Sequence, residues 1–109
     1  LTPGAVTSPE LVERMASMDA RLFDATFNCR LEALAPLVDD DLEFIHDKHG
    51  RTSTTGAAFL QGVRDGCKGR EEGRNFRARR ELVAGTLQTF ALSNYGAVQT
   101  GMHRFYAIQ

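Results

Sequence analysis

The sequence predicts a single domain of the α+β class, and three segments indicate this class. Residues 8–28 repeat apolar side chains at the roughly 3.6-residue period of an amphipathic helix. Residues 79–92 and 95–108 are long and rich in apolar, β-branched and aromatic residues, which is typical of strands that pair as a hairpin. Helices therefore dominate the first part of the chain and strands the last, unlike the alternating βαβ order of a parallel sheet.

The composition is that of a globular domain. The chain has 109 residues, of which 42% are hydrophobic and 25% charged, so it is long enough to bury one core. Its formal net charge of -1 gives no overall attraction for nucleic acid or for an anionic membrane. No apolar run approaches the roughly 18 residues that a membrane span needs. The sequence therefore predicts neither a nucleic-acid partner nor a membrane span.

Acidic and basic residues are unequally divided along the chain. Residues 1–50 carry four basic and ten acidic side chains, whereas residues 51–109 carry nine basic and four acidic ones. The basic residues are densest over residues 64–80, but glycines and acidic residues interrupt this run and Phe76 is its single aromatic residue. This pattern favours a solvated loop over a nucleic-acid-binding surface.

The first helix is predicted from Ser8 to Asn28. Ser8 is a good N-cap, and Pro9 suits the first helical position because its missing N–H has no helical partner there. The apolar stripe of this helix is expected to pack in the core and consists of Leu11, Val12, Met15, Met18, Leu22, Phe23, Thr26 and Phe27.

Residues 1–8 are interpreted as a flexible lead-in, because they are rich in Thr, Pro, Gly and Ser, so the predicted domain spans residues 9–109. Such a segment suits a spacer that follows a cleaved export signal or a lipoprotein anchor, and it equally suits a trimmed chain. The sequence therefore leaves an exported location, periplasmic or lipid-anchored, and a cytoplasmic location both open.

A short second helix is predicted from Arg30 to Val38. Pro36 weakens it, so a partly 3₁₀ conformation is expected. The three acids that follow, residues 39–41, oppose the helix dipole and therefore favour a helix end and a solvated turn. Three adjacent carboxylates without fixed geometry are weak ligands, so no metal site is predicted.

The first strand is predicted over residues 42–47, followed by a turn and a short returning strand over residues 51–54. Strand alternation places Leu42, Phe44 and His46 on one face, which is expected to line a pocket. An imidazole exchanges protons near neutral pH, so His46 is a candidate general base. A structural, hydrogen-bonded His46 is the alternative.

A third helix is predicted from Thr55 or Gly56 to about Cys67, with glycines weakening its end, and residues 68–77 are predicted to form a charged connector. The two cysteines, Cys29 and Cys67, are too few for a disulfide framework. The sequence favours two buried free thiols over a bridge and leaves their redox state open.

Residues 79–92 and 95–108 are predicted to form the hairpin, with a bend or bulge at Gly85 and kinks at Gly96 and Gly101. Arg80 begins the first of these strands. Its guanidinium suits bidentate binding of an anionic group, and the alternative is an ion pair with Asp47 or Glu81. His103, in the second strand, is expected to approach the same pocket.

The order of these elements, and the segments EFIHDKHG and GAVQTGMHRFY in particular, resembles the nuclear transport factor 2-like superfamily from about Pro9 to Tyr106. The resemblance is to its SnoaL-like branch of small bacterial domains of unassigned function. It implies a cone-shaped roll, in which a curved antiparallel sheet wraps around the long first helix and leaves a pocket at its open end. It also implies homodimers formed through the outer face of the sheet.

The same resemblance implies two further strands after Ile108, so the chain is expected to be C-terminally incomplete. A neighbouring chain that pairs with the last strand is the alternative, because an unpaired long strand exposes its donors and acceptors.

Two functions follow as expectations. The first is a binding domain for a small hydrophobic molecule, with a pocket lined by Phe23, Phe27, Leu42, Phe44, His46, Arg80 and His103. The second is a cofactor-independent acid–base enzyme of the isomerase, cyclase or dehydratase type, because the acidic base of members similar to ketosteroid isomerase corresponds to about His46. Phe23 and Phe27 occupy the helix segment where those isomerases suggest a tyrosine, which weakens the isomerase expectation. An assembly module that acts through the sheet face is a third class. No cofactor is expected.

Overall fold

The computed structural model describes residues 7–46, 50–93 and 96–108, the side chain of Arg51 aside. The chain is of the α+β class, as predicted, with antiparallel strand pairs. In chain order, its elements are α1 (Pro9–Phe27), α2 (Leu31–Leu34), a 3₁₀ turn (Ala35–Leu37), β1 (Phe44–His46), β2 (Gly50–Ser53), α3 (Gly56–Glu71), β3 (Arg77–Leu82), β4 (Gln88–Leu92), β5 (Gly96–Thr100) and β6 (His103–Ile108). None of the described helices combines the length and apolar character that a membrane crossing requires.

Helix α1 begins and ends where its local signals predict. The Ser8 hydroxyl accepts a hydrogen bond of 3.1 Å from the backbone N–H of Leu11, and Pro9 is the first helical residue. Just before the cap, the Thr7 hydroxyl accepts a hydrogen bond of 3.1 Å from the backbone N–H of Ala91. Residue 7, assigned to the lead-in, is therefore attached to β4, whereas residues 1–6 lie outside the described residues.

The acidic segment after α2 is a hydrogen-bonded turn. The Asp39 carboxylate accepts from the Asp41 N–H at 2.8 Å, and the Asp39 carbonyl accepts from the Leu42 N–H at 3.1 Å. Because Leu42 takes part in this turn, strand β1 begins at Phe44 rather than at the predicted Leu42. The Asp40 carbonyl also accepts from the N–H of Gly56 at 2.9 Å, so the turn holds the start of α3.

Helix α3 is longer than predicted, because it continues through Gly66 and Gly69 to Glu71. The connector predicted for residues 68–77 is therefore wrong over its first four positions. Gly69 is buried against the side chain of Asn75, and a Cβ at this position would collide with the Asn75 amide. The Asn75 amide also donates to the Gly66 carbonyl at 3.2 Å. These contacts offset the low helix propensity of glycine.

The two long strands pair as predicted, but each one is broken in the middle. β4 pairs with β5 from Gln88–Thr100 to Leu92–Gly96, and β3 pairs with β6 from Arg77–Ile108 to Leu82–His103. Between the two pairs, residues 83–87 lie opposite residues 101–102. Gly85 has a φ of +78° in this bend, a conformation that glycine adopts without steric cost. The hairpin is thus bent at the predicted Gly85.

The bent hairpin has an inner face, which packs against α1, and an outer face. On β3–β6 the inner face carries Arg80, His103 and Phe105, and the Phe105 ring lies 5.4 Å from the ring of Phe27 on α1. On β4–β5, Ala91 is buried and its neighbours Thr89, Ala97 and Gln99 are half-buried, whereas Phe90 and Val98 are exposed. Helix α1 covers the inner face incompletely, since Phe105 remains 50% exposed.

Strands β1 and β2 form a separate two-stranded sheet beside α3. His46 lies opposite Gly50, and the pairing is irregular between Phe44 and Ile45. The Phe44 ring packs 5.2 Å from the ring of Phe59 on α3. The predicted last residue of this strand, Asp47, lies outside the described residues.

Cys29 and Cys67 form a disulfide, so the preference for two free thiols is wrong. Cys29 follows α1 and Cys67 lies near the end of α3, where the two helix ends bring the Cα atoms to 5.9 Å. Arg70 Nη1 donates a hydrogen bond of 2.8 Å to the Phe27 carbonyl, and Arg70 Nη2 lies 3.2 Å from the Cys67 sulfur. The bridge and Arg70 together fasten the end of α1 to α3.

Candidate functional site

A cavity of about 550 Å³ lies between α1 and β3, within the size range of small-molecule sites. We call it the α1–β3 cavity. Its apolar walls are formed by Phe23, Phe27, Leu82, Leu87 and Ile108, with alanines on α1 and β3. Asp19 and Arg80 contribute polar groups. The cavity is open because the alanine side chains of α1 and β3 are small, and the rings of Phe23 and Phe27 form its aromatic wall.

Asp19 and Arg80 form a bidentate ion pair in this wall. Arg80 Nη1 lies 2.7 Å from Asp19 Oδ2, and Nη2 lies 3.1 Å from Oδ1. The two side chains are only 10% and 11% exposed, so the pair is largely removed from solvent. It joins the acidic first half of the chain to the basic second half.

His103 extends this pair into a three-residue cluster. Arg80 Nε donates to His103 Nδ1 at 3.1 Å. A guanidinium has no acceptor atom, so this hydrogen bond requires an unprotonated Nδ1 and a neutral ring with its proton on Nε2. Every nitrogen of the Arg80 guanidinium therefore donates within the Asp19–Arg80–His103 cluster.

Aromatic rings hold the cluster in place. The Arg80 Cζ atom lies 3.7 Å from the centre of the Phe23 ring, a cation–π arrangement. The Phe23 and His103 rings are nearly perpendicular, with centroids 5.6 Å apart and planes at 86°, and the centroid of the Phe105 ring lies 4.4 Å from that of His103. These contacts limit the orientation that the imidazole can take.

The predicted site residues divide into two groups. Phe23, Phe27 and Arg80 line the α1–β3 cavity, and His103 touches two of these residues. None of the three cavities described here is lined by Leu42, Phe44 or His46, and His103 only adjoins the first through its contacts with Arg80 and Phe23. His46 is half-buried at the end of β1, and its role as a base stays a prediction.

The partner of Arg80 differs from the predicted ones. Its carboxylate is Asp19 rather than Glu81, because strand alternation turns Glu81 to the outer face of β3. There Glu81 lies 3.2 Å from Arg104 and 3.9 Å from Arg79. The other predicted partner, Asp47, lies outside the described residues.

Sequence reasoning missed Asp19. A usable signal existed, because Asp19 lies four residues after Met15 and four before Phe23, on the apolar stripe of the helix. A carboxylate at such a position must find a partner when the stripe is buried.

Two smaller cavities adjoin the first. One of about 310 Å³ is bordered by Val63, Phe76 and Ala78, and one of about 440 Å³ lies beside the disulfide and Arg70. Phe27 borders all three cavities, so its ring is the wall that they share.

Comparisons of the chain with models of protein families, with curated proteins and with solved structures found no match. The resemblance to the nuclear transport factor 2-like superfamily therefore stays a prediction.

Proposed function

We propose that this protein binds a small, mostly apolar molecule in the α1–β3 cavity. The observation that carries the proposal is the cavity itself, which combines aromatic and aliphatic walls with a few polar side chains, of which Asp19 and Arg80 are largely buried. Ligand sites are typically built in this way, since apolar walls supply affinity and a few fixed polar groups orient the ligand. The volume of about 550 Å³ suits a molecule of two or three fused rings.

The charges around the cavity favour an uncharged ligand. Asp19 neutralises Arg80 through both of its carboxylate oxygens, so an anion would have to displace an internal partner. Asp24 and two further arginines also border the cavity, but all three are engaged elsewhere, Asp24 with Asn28 and Arg30. Arg77 donates to the Asn28 side chain at 2.6 Å, and the guanidinium of Arg79 lies 4.5 Å from the Tyr106 ring.

Filling the cavity tests the proposal. Ala20 lines the cavity from α1, so Ala20→Leu should occupy part of its volume. We expect the affinity for the uncharged probe 2-ethylnaphthalene, followed by its fluorescence, to fall about tenfold or more. Ala57→Leu is the matched control, because Ala57 is an exposed helical alanine of α3 that does not border this cavity. Equal affinity of the Ala20→Leu and Ala57→Leu variants would exclude the cavity as the binding site.

We also propose that the fold is a roll of the nuclear transport factor 2-like type. Two features support it: the hairpin is bent at Gly85, and α1 packs against its inner face. The proposal requires β1–β2 and the hairpin to belong to one curved sheet. In the described residues they are separate strand pairs, so the proposal predicts further strand hydrogen bonds between them, and NMR couplings across hydrogen bonds that show none would contradict it.

The exposed apolar residues of the hairpin support the proposal of a homodimer formed through its outer face. Phe90 and Val98 lie opposite each other on β4–β5, and both are exposed. Val98→Lys should then shift the protein from dimer to monomer in analytical ultracentrifugation. An unchanged chain that sediments as a monomer would contradict the proposal.

The disulfide supports an exported location, because such bridges persist mainly in oxidising compartments. We propose export on this ground. Mass spectrometry after thiol alkylation should find Cys29 and Cys67 bridged in protein taken from the native cell. Two alkylated thiols would favour the cytoplasmic alternative.

A further inference from the structure

We propose that His103 selects the ligand by donating a hydrogen bond from Nε2 to an uncharged acceptor oxygen, such as that of a ketone. This inference rests on the proposed binding function and specifies the chemical class of the ligand. Within it, His103 is the specificity-determining residue, and Asp19 and Arg80 are positioning residues.

The first step is the fixed proton of His103. Asp19 holds the guanidinium of Arg80 at both terminal nitrogens, which directs the remaining nitrogen, Nε, at His103 Nδ1. Because Arg80 can only donate, His103 Nδ1 must accept, and the ring proton must lie on Nε2. Either nitrogen of an imidazole can donate or accept, depending on where the ring proton lies. The contact with Arg80 fixes that proton on Nε2, so Nε2 is the donor.

The second step is that this donor is available. His103 is exposed, and Nε2 forms no hydrogen bond with any residue of the described ranges. The ring nevertheless contacts both Phe23 and Phe105 and accepts from Arg80, and these three contacts limit its orientation before a ligand arrives. A preorganised donor beside an apolar wall loses little conformational entropy when it binds.

The third step is position. His103 contacts Arg80 and Phe23, which both line the α1–β3 cavity, and it lies on the inner face of β6. The two nitrogens of an imidazole point in diverging directions, so Nε2–H points away from Arg80. His103 does not itself line the cavity, so the inference places the apolar body of the ligand against Phe23 and its oxygen at the cavity margin, beside His103.

The fourth step is charge. Asp19 and Arg80 cancel each other, and the neutral ring of His103 adds no charge. An anionic acceptor would gain no unpaired cation from the cluster, and a cationic ligand would gain no unpaired anion. The acceptor that fits is an uncharged oxygen.

Two probes that differ by one oxygen test the inference. 2-Acetylnaphthalene has a ketone where 2-ethylnaphthalene has a methylene group, and both are uncharged. We expect the unchanged full-length chain to bind the ketone about five- to tenfold more tightly, the effect of a single hydrogen bond. Equal affinities, or a preference for the hydrocarbon, would overturn the inference while leaving the binding function intact. If neither probe binds, the proposed function itself fails and the inference fails with it.

Two substitutions at His103 form a matched pair. The His103→Asn amide can still accept from Arg80, but it places no donor where Nε2 stood, so the ratio of the two affinities measured in this variant should show no ketone preference. The longer amide of His103→Gln can place its NH₂ group near the former Nε2, so part of the preference should remain. An undiminished ketone preference in His103→Asn would contradict the role of His103.

The ring proton can also be observed directly. In protein labelled with ¹⁵N-histidine, the His103 signals, assigned by their loss in His103→Asn, should show a proton on Nε2 and none on Nδ1. Arg80→Lys keeps the positive charge but removes the planar donor, so the ring should no longer hold this single form. A proton on Nδ1 in the unchanged chain at neutral pH would overturn the inference.

Discussion

His46 and His103 both lie at an end of a strand, but their surroundings differ. His46 ends the three-residue strand β1, which pairs with β2 and is attached to α3 through Phe44. His103 begins β6, is hydrogen-bonded to a largely buried ion pair and adjoins the α1–β3 cavity. The comparison teaches that strand alternation predicts which face a side chain occupies, but not what lies opposite that face.

The largest expected effect comes from breaking the ion pair that supports the His103 region. Asp19→Asn keeps the shape of the side chain but leaves Arg80 buried without its carboxylate. We expect a loss of about 3–5 kcal/mol in the free energy of unfolding, measured by urea denaturation, which is a large part of the stability of a small domain.

Asp24→Asn is the control for this substitution, because Asp24 lies on the same helix but is exposed, with Arg30 at 3.6 Å. We expect it to change the free energy of unfolding by no more than about 1 kcal/mol. If Asp19→Asn and Asp24→Asn lower the free energy of unfolding by similar amounts, the Asp19–Arg80 pair stabilises the His103 region no more than an exposed ion pair would.

The next effect concerns the disulfide, which fastens α3 to the end of α1. Its cysteines are 38 residues apart, so replacing both with serine should lower the free energy of unfolding by about 2–4 kcal/mol. Because β1 is attached through α3, amide hydrogen exchange should accelerate more in α3 and β1 than in β3 and β6. Uniform acceleration would contradict this difference between the regions.

A smaller effect is expected at the bend that places His103. Gly85 has a φ of +78°, and a Cβ added there would meet no atom within 4 Å, so Gly85→Ala should cost about 1–2 kcal/mol through the backbone alone. Gly62→Ala, in the interior of α3 and equally open, should instead stabilise by up to about 1 kcal/mol. Thermal unfolding of the two variants measures the difference, and a stabilised Gly85→Ala variant would argue against the bend.

The smallest expected effect is on binding when His46 is changed. His46 does not line the α1–β3 cavity, so His46→Gln should leave the affinity for 2-ethylnaphthalene within about twofold of its original value. A large loss of affinity would instead return His46 to the site and remove the contrast with His103.

Features with a local cause could be predicted from the sequence. The start of α1 follows from Ser8 and Pro9, which act within one helical turn. The bend of the hairpin follows from Gly85, whose positive φ glycine tolerates. Phe23 and Phe27 lie on the apolar stripe that the helical period predicts, and the structure places both in the wall of the α1–β3 cavity.

Features that depend on distant contacts could not be predicted. Asp19 and Arg80 are 61 residues apart, so although the helical period marks Asp19 as an acid on the apolar stripe, no local pattern identifies Arg80 as its partner. Gly69 stays helical because of Asn75, a tertiary contact that propensity does not contain. Cys29 and Cys67 are joined because two helix ends meet, which depends on the folded arrangement.

The unequal bend of the hairpin has a consequence for how its length can vary. In the bend, the five residues 83–87, between β3 and β4, lie opposite the two residues 101–102, between β5 and β6. The β3–β4 side of the bend is therefore longer by three residues, an odd number. Even-numbered residues of β3, such as Arg80, therefore share the inner face with odd-numbered residues of β4, such as Ala91. Deleting one residue from this bend would reverse the parity, exposing Ala91 and turning Phe90 inward, whereas deleting two would preserve it. Viable insertions and deletions here should therefore come in pairs.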